Sequence, residues 1–195
     1  MTDRPASAID DLEDEDVEEE IVDDDAPAGK AAWDGPSARR WALFAAIAIA
    51  VVVADQLTKA WITSILKPGE GFSVLGTWLN FVYGQNSGIL FGMVPQSAGA
   101  FAVVSLVVIV VIVIYHRKAG RGIVMSIATA LLLGGAIGNL IDRLLYGAVV
   151  DWIDMGVGSA RFWTYNIADA AITTSLIMIF VVALFPFTAE WGSDD

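Results

Sequence analysis

Nine polar side chains interrupt or border apolar stretches of this chain: Asp55, Lys59, Asn139, Asp142, Arg143, Asp151, Asp154, Asn166 and Asp169. Asp55 and Lys59 are four residues apart and share one helical face. Asn139 and Arg143 have the same spacing, and Asn166 and Asp169 are three apart, again neighbours on a face. Two aspartates that share a site cannot both ionise cheaply, so one keeps its proton. The ionised member can then take a proton from water as that water attacks a carbonyl carbon, while the protonated member donates to the carbonyl oxygen or the leaving amine. Neither a metal nor a covalent intermediate is needed. Spacing alone does not choose the pair.

Other chemistries are harder to build. The chain has 195 residues, no cysteine and one histidine. Thiolate catalysis, thiolate metal sites and disulfides are therefore excluded. A Ser-His-Asp triad would need His116, which is read as a surface residue of a turn beside Arg117 and Lys118. That places it about 30 Å, one hydrocarbon thickness, from the polar cluster. No H-E-x-x-H or G-x-x-x-x-G-K-[ST] motif occurs. No cofactor and no nucleic-acid partner are expected.

The elements that must position these groups are membrane helices. Hydrophobic residues make up 56% of the chain and charged residues 17%, against about 25% charged in a soluble domain. Four apolar segments run from Trp41 to about Leu66, Ala98 to Tyr115, Gly122 to Ile141 and Ile167 to Phe187. A span needs about 20 such residues and must be helical to satisfy its own backbone. Four spans put both termini on one side. The short flanks there carry Arg39, Arg40, Arg117, Lys118 and Arg121, so both termini are placed in the cytoplasm. Trp61, Trp78, Trp152 and Trp163 then form an outer aromatic belt.

Every member of the polar cluster lies towards that outer face, and nothing comparable gathers at the inner one. Ionisable groups at membrane depth are costly and usually functional. A proton-coupled transporter would spread them through the membrane, whereas these stop at one face. The first outer loop, roughly 67–97, holds the β-prone runs Phe72–Leu75 and Leu79–Tyr83. The second, roughly 142–166, is read as loop. Gly134, Gly135 and Gly138 form a small-residue stripe suited to close helix packing. Asp142 and Asp154 are read as loop ion-pairing or capping residues, and Arg143 as holding the loop or a lipid headgroup.

The net charge of −12 belongs mostly to one end. Residues 1–40 hold 14 of the 23 acidic and 4 of the 11 basic residues. Such a segment self-repels and is read as a disordered, solvated cytoplasmic tail. Residues 41–187 form the membrane domain, and residues 188–195 a short cytoplasmic tail.

The motifs, taken in order, resemble those of the lipoprotein signal peptidases (signal peptidase II). Asp55-Gln56-Leu57-Thr58-Lys59 resembles D-Q-x-[ST]-K, and Asn80 to Gly88 resembles the segment ending in N-[ST]-G. Gly134 to Arg143 resembles G-G-A-x-G-N-x-x-D-R. Gly147 to Trp152 resembles G-x-V-x-D-[FW], and Tyr165 to Ile172 resembles F-N-x-A-D-x-x-I. The resemblance runs from about residue 41 to 187.

It implies a four-helix transmembrane protein with a small extracytoplasmic β-containing cradle, in the bacterial inner membrane. It also implies an aspartic endopeptidase that removes the signal peptide from diacylglyceryl-modified prolipoproteins. By resemblance the catalytic pair is Asp151 and Asp169. Asp55, Lys59, Asn86, Gly88, Asn139, Arg143, Asn166 and Ala168 carry over as supporting positions. Membrane lipids and globomycin-type inhibitors follow as partners. Leu90, Trp163 and Tyr165 depart from the usual alanine, proline and phenylalanine. These are changes of shape near the pocket.

Overall fold

The computed structural model describes residues 35–87, 98–119 and 122–187. The expected acidic tail up to residue 34, the end of the first outer loop with Gly88 and Leu90, and the expected C-terminal tail lie outside the described residues.

Four helices carry the apolar segments: α1 (Ala38–Ile65), α2 (Ala98–Ala119), α3 (Ile123–Tyr146) and α4 (Ile167–Leu184). Of these, α1, α3 and α4 are long and apolar enough to cross a membrane. Their exposed surface is apolar too, with Ile49, Val53, Leu57, Leu176, Ile177 and Phe180 facing outward. Such a surface suits lipid rather than water. The chain is a multi-pass membrane protein.

Local chemistry sets the ends of the helices. The Ser37 side chain accepts from the Arg40 N–H and starts α1. Gly147, at φ 70°, takes the left-handed conformation that closes α3. Helix α4 opens with a capping box between Asn166 and Asp169.

Helix α3 is the centre of the bundle and packs against the other three. Its glycine stripe makes this possible. A Cβ on Gly134 would lie 2.7 Å from Val51 Cβ, one on Gly135 2.5 Å from the Ala168 carbonyl, and one on Gly138 2.7 Å from Asp55 Oδ2. The stripe thus lets α1 and α4 approach closely, as expected of such a pattern. Phe44, Ala48, Ile112, Ala130, Leu133 and Ala136 form the apolar core.

The helix bundle carries an antiparallel sheet in the order β1 (Gly71–Leu75), β2 (Leu79–Asn86), β3 (Val149–Val157), β4 (Ala160–Arg161). Two of these strands fall where the sequence was read as loop. Helix α3 also continues past Ile141, so Asp142 lies inside a helix and not in a loop. Val149-Val150-Asp151-Trp152-Ile153 is β-prone, but its partner strand lies more than sixty residues earlier. Asp154 does ion-pair as expected, to Arg161 at 2.7 Å, and accepts from Asn80 at 3.0 Å. This ties three strands together.

Two expectations fail. Trp152 is buried and packs edge-on against Phe81 and Trp61, with ring centroids 4.9 and 6.5 Å apart. It is a core residue of the sheet and not part of a lipid-facing belt. His116 is fully buried, because α2 runs on to Ala119 and turns the ring inward onto Phe44, 3.9 Å away. With the buried Ser126 and Thr129 it forms a small polar group at the end of the bundle away from the aspartates.

Candidate active site

The register of two strands and the start of one helix place the paired aspartates. In the β2–β3 ladder Gly84 faces Asp151 and Asn86 faces Val149. A Cβ on Gly84 would lie 3.1 Å from the Asp151 carbonyl, so the strands are tight at this point. Asp151 is buried. Its Oδ2 accepts from Asn86 Nδ2 at 3.0 Å and its Oδ1 from Asn166 Nδ2 at 2.8 Å.

Asp169 is the third residue of α4 and half-buried. Its N–H donates to Asn166 Oδ1 at 2.9 Å, and its Oδ2 accepts from the Asn166 N–H at 3.3 Å. Its Oδ1 accepts from Asn139 Nδ2 at 2.7 Å. Three asparagines on three elements therefore grip two carboxylates. Asn166 belongs to both grips, and its amide also reaches Asn139 Oδ1 and the Val150 carbonyl, each at 3.2 Å.

Burial pushes the Asp151 carboxyl up to about 6, and the nearby Asp169 charge adds to the rise. The Asn86 and Asn166 hydrogen bonds work in the opposite direction. A carboxyl poised near neutrality beside a second carboxyl suits general acid–base work.

Behind the pair lies a buried ion cluster. Lys59 Nζ reaches Asp55 Oδ2 at 2.7 Å, Asp142 Oδ2 at 2.9 Å and Asn139 Oδ1 at 3.1 Å. Asp55 Oδ1 accepts from the Ala168 N–H at 3.0 Å. That N–H belongs to the first turn of α4, which has no partner within its own helix. A carboxylate there also faces the positive end of the helix dipole. Ala168 must be small because α3 crosses over it at Gly135 and Gly138.

Arg143 is half-buried, donates to the Asn139 carbonyl at 3.1 Å and lies within electrostatic reach of Asp169, Asp151 and Asp142. Tyr165 donates from its hydroxyl to Met155 Sδ at 2.9 Å, and Trp163 is exposed.

The structure brings together Asp55, Lys59, Asn86, Asn139, Asp151, Asn166, Ala168 and Asp169, with Arg143 at the edge. Gly88 lies outside the described residues. Sequence reasoning passed over Gln56, whose Nε2 donates to Asp142 Oδ1 at 3.0 Å, to the Gly138 carbonyl and to Asp55. It also underrated Asp142, which is fully buried. Leu144, Leu145 and Tyr146, which continue the α3 pattern beyond it, were the available signal. Among the described residues no group of three or more His, Asp or Glu side chains could hold a metal ion.

Comparison with known proteins agrees with this geometry. Residues 47–185 match the sequence profile of signal peptidase (SPase) II. A lipoprotein signal peptidase of Syntrophomonas wolfei is 36% identical over 147 residues, covering 75% of this chain and 93% of that relative. One of Staphylococcus carnosus is 36% identical over 140 residues, covering 71% and 88%. A bacterial membrane enzyme solved by the in meso method at 2.3 Å superposes with a TM-score of 0.71 at 30% identity, covering 84% of this chain and 99% of that one. The chain belongs to the signal peptidase II family of membrane proteases.

Proposed function

We propose that this protease is an aspartic endopeptidase of the bacterial inner membrane. It removes the signal peptide from diacylglyceryl-modified prolipoproteins, cutting before the lipidated cysteine. The observation that carries the reading is the grip of Asn86, Asn139 and Asn166 on Asp151 and Asp169. In this reading α2 is a fourth span, both termini are cytoplasmic and the aspartates lie near the outer face. Membrane lipids surround the bundle, and globomycin-type inhibitors compete for the site.

The pair shares one proton. The ionised carboxyl takes a proton from water as that water attacks the scissile carbonyl, and the protonated carboxyl donates to the carbonyl oxygen. As the tetrahedral diol collapses, one carboxyl gives its proton to the leaving amine of the lipidated cysteine while the other takes the proton of a diol hydroxyl, leaving a carboxylic acid. Two products and the original single proton remain. The amides hold both carboxylates in place without adding charge. The boundary location lets the acyl chains stay in lipid while the peptide bond meets water.

A gel-shift assay tests this. Purified protein in detergent is mixed with a diacylglyceryl-modified prolipoprotein, beside Asp151→Asn and Asp169→Asn. The parent cleaves, and each variant loses at least about 10³-fold, the scale of lost acid–base catalysis, while folding normally. Cleavage surviving in either folded variant would remove that residue from the pair.

A further inference from the structure

The site description leaves one buried carboxylate without a role. Asp142 does not face the reacting pair. It lines a separate cavity of about 170 Å³, with Gln56, Lys59, Thr63, Tyr83 and Gln85 among the other walls. Yet one of its oxygens, Oδ2, connects to both aspartates.

One connection runs through the backbone. Asp142 Oδ2 accepts from the Val150 N–H at 3.0 Å, and Val150 immediately precedes Asp151. The end of α3 thus pins the strand that presents Asp151. The other runs through side chains. Asp142 and Asp55 hold the Lys59 ammonium between them, and its remaining N–H goes to Asn139 Oδ1. Asn139 Oδ1 therefore faces two donors, Lys59 and the Asn166 amide. Turning the Asn139 amide over would set its NH₂ against both of them, a donor-to-donor clash. The amide is locked with its NH₂ towards Asp169, 2.7 Å away.

We propose that Asp142 is a positioning residue for both aspartates, acting on Asp151 through the Val150 N–H and on Asp169 through Lys59 and Asn139. Gln56, donating to Asp142 Oδ1, steadies it from the cavity side. The proposal rests on Asp151 and Asp169 being the catalytic pair.

A residue that acts only by aiming the pair changes kcat and leaves substrate binding alone. Cleavage of the modified prolipoprotein is therefore measured for the parent, Asp142→Asn, Asp151→Asn and Asp169→Asn, each checked by its thermal transition in detergent. Asp142→Asn is expected to lower kcat by at least about 30-fold with KM within about 2-fold. A folded Asp142→Asn with parental kcat, or a loss confined to KM, overturns the proposal. Cleavage by a dyad variant overturns the underlying reading instead, so the two failures are distinguishable.

If Asp142→Asn does not fold, a perturbation added after folding decides. The chain has no cysteine, so Thr63→Cys offers a single thiol in the cavity wall, one turn beyond Lys59. Unlabelled, it cleaves as the parent does. Labelled with an anionic sulfonatoethyl thiosulfonate, it places a competing negative charge beside Lys59, and kcat falls by roughly 10-fold with KM unchanged. The small neutral methyl reagent leaves kcat near the parental value. Parental kcat after anionic labelling, or equal loss with both reagents, overturns the proposal.

Discussion

The bundle buries polar groups at both ends, on opposite terms. At the aspartate end, Lys59 sits between two carboxylates and one amide, so all three of its donors are used. At the other end, His116 stacks on Phe44, meets the edge of Trp41 and, among the described residues, has a single hydrogen-bonding partner, Thr129 Oγ1 at 3.1 Å. The Thr129 hydroxyl already donates to the Met125 carbonyl at 2.8 Å, so it accepts from His116 Nδ1. That makes Nδ1–H the donor, and Nε2 has no partner among the described residues. One end spends its polar groups on holding two carboxylates in place. The other uses a histidine as a flat piece of core. A buried ionisable residue signals function where its partners are themselves charged and converge on a cleft, and not by burial alone.

Removing one member from each end tests that contrast. Lys59→Met leaves Asp55 and Asp142 unpaired and should destabilise by roughly 3–5 kcal/mol, with cleavage lost. A lowered thermal transition in detergent would show it, and an unchanged one would mean the cluster is not an ionic unit. Gly135→Ala drives a Cβ against the Ala168 carbonyl. It should cost about 1–3 kcal/mol as overpacking and reduce cleavage by displacing the start of α4. A parental melting curve and rate would show that α4 can slide freely.

Asn86→Ala is a smaller change, read by pH. The Asn86 amide stabilises the ionised form of Asp151, so its loss raises that carboxyl further above about 6. The upper limb of the kcat/KM profile should move to higher pH, and a shift downward would contradict the assignment. Between the ordinary 3.8 and about 6, folded Asp151 binds a proton that the unfolded chain releases. Its contribution to stability therefore falls as pH rises through that window. His116→Phe should do least. It keeps the stacking, removes the orphaned nitrogen and should shift stability by less than about 1.5 kcal/mol with normal cleavage. A large loss of cleavage would put His116 on the functional side of the contrast.

Much of this arrangement was legible in the residues. Apolar length gave the helices, the glycine spacing gave the packing face of α3, and the spacing of Asp55 and Lys59 put them on one helical face. The grouping of the asparagines and aspartates at one end followed from antiparallel spans. What could not be read depended on distant partners. Strand β3 takes its order from β2, and Gln56 meets Asp142 eighty-six residues away. Trp152 is buried only because Phe81 and Trp61 arrive to cover it. His116 looked exposed because three basic residues follow it closely at 117, 118 and 121. The long stems of Arg117 and Lys118 let their charges leave the core while the ring stays inside.

The bond that starts α4 has a consequence in time. Asn166 and Asp169 fold the first turn of the helix and orient the Asp169 carboxylate with the same pair of hydrogen bonds. They are also the last of the cluster to leave the ribosome. In the proposed reading, a nascent chain that already holds Asp55, Lys59 and Asp151 still lacks half of its pair, and gains it only as the final helix nucleates. With Asp151 and Asp169 as the pair, synthesis order and helix nucleation together would keep the protease inert until α4 has formed.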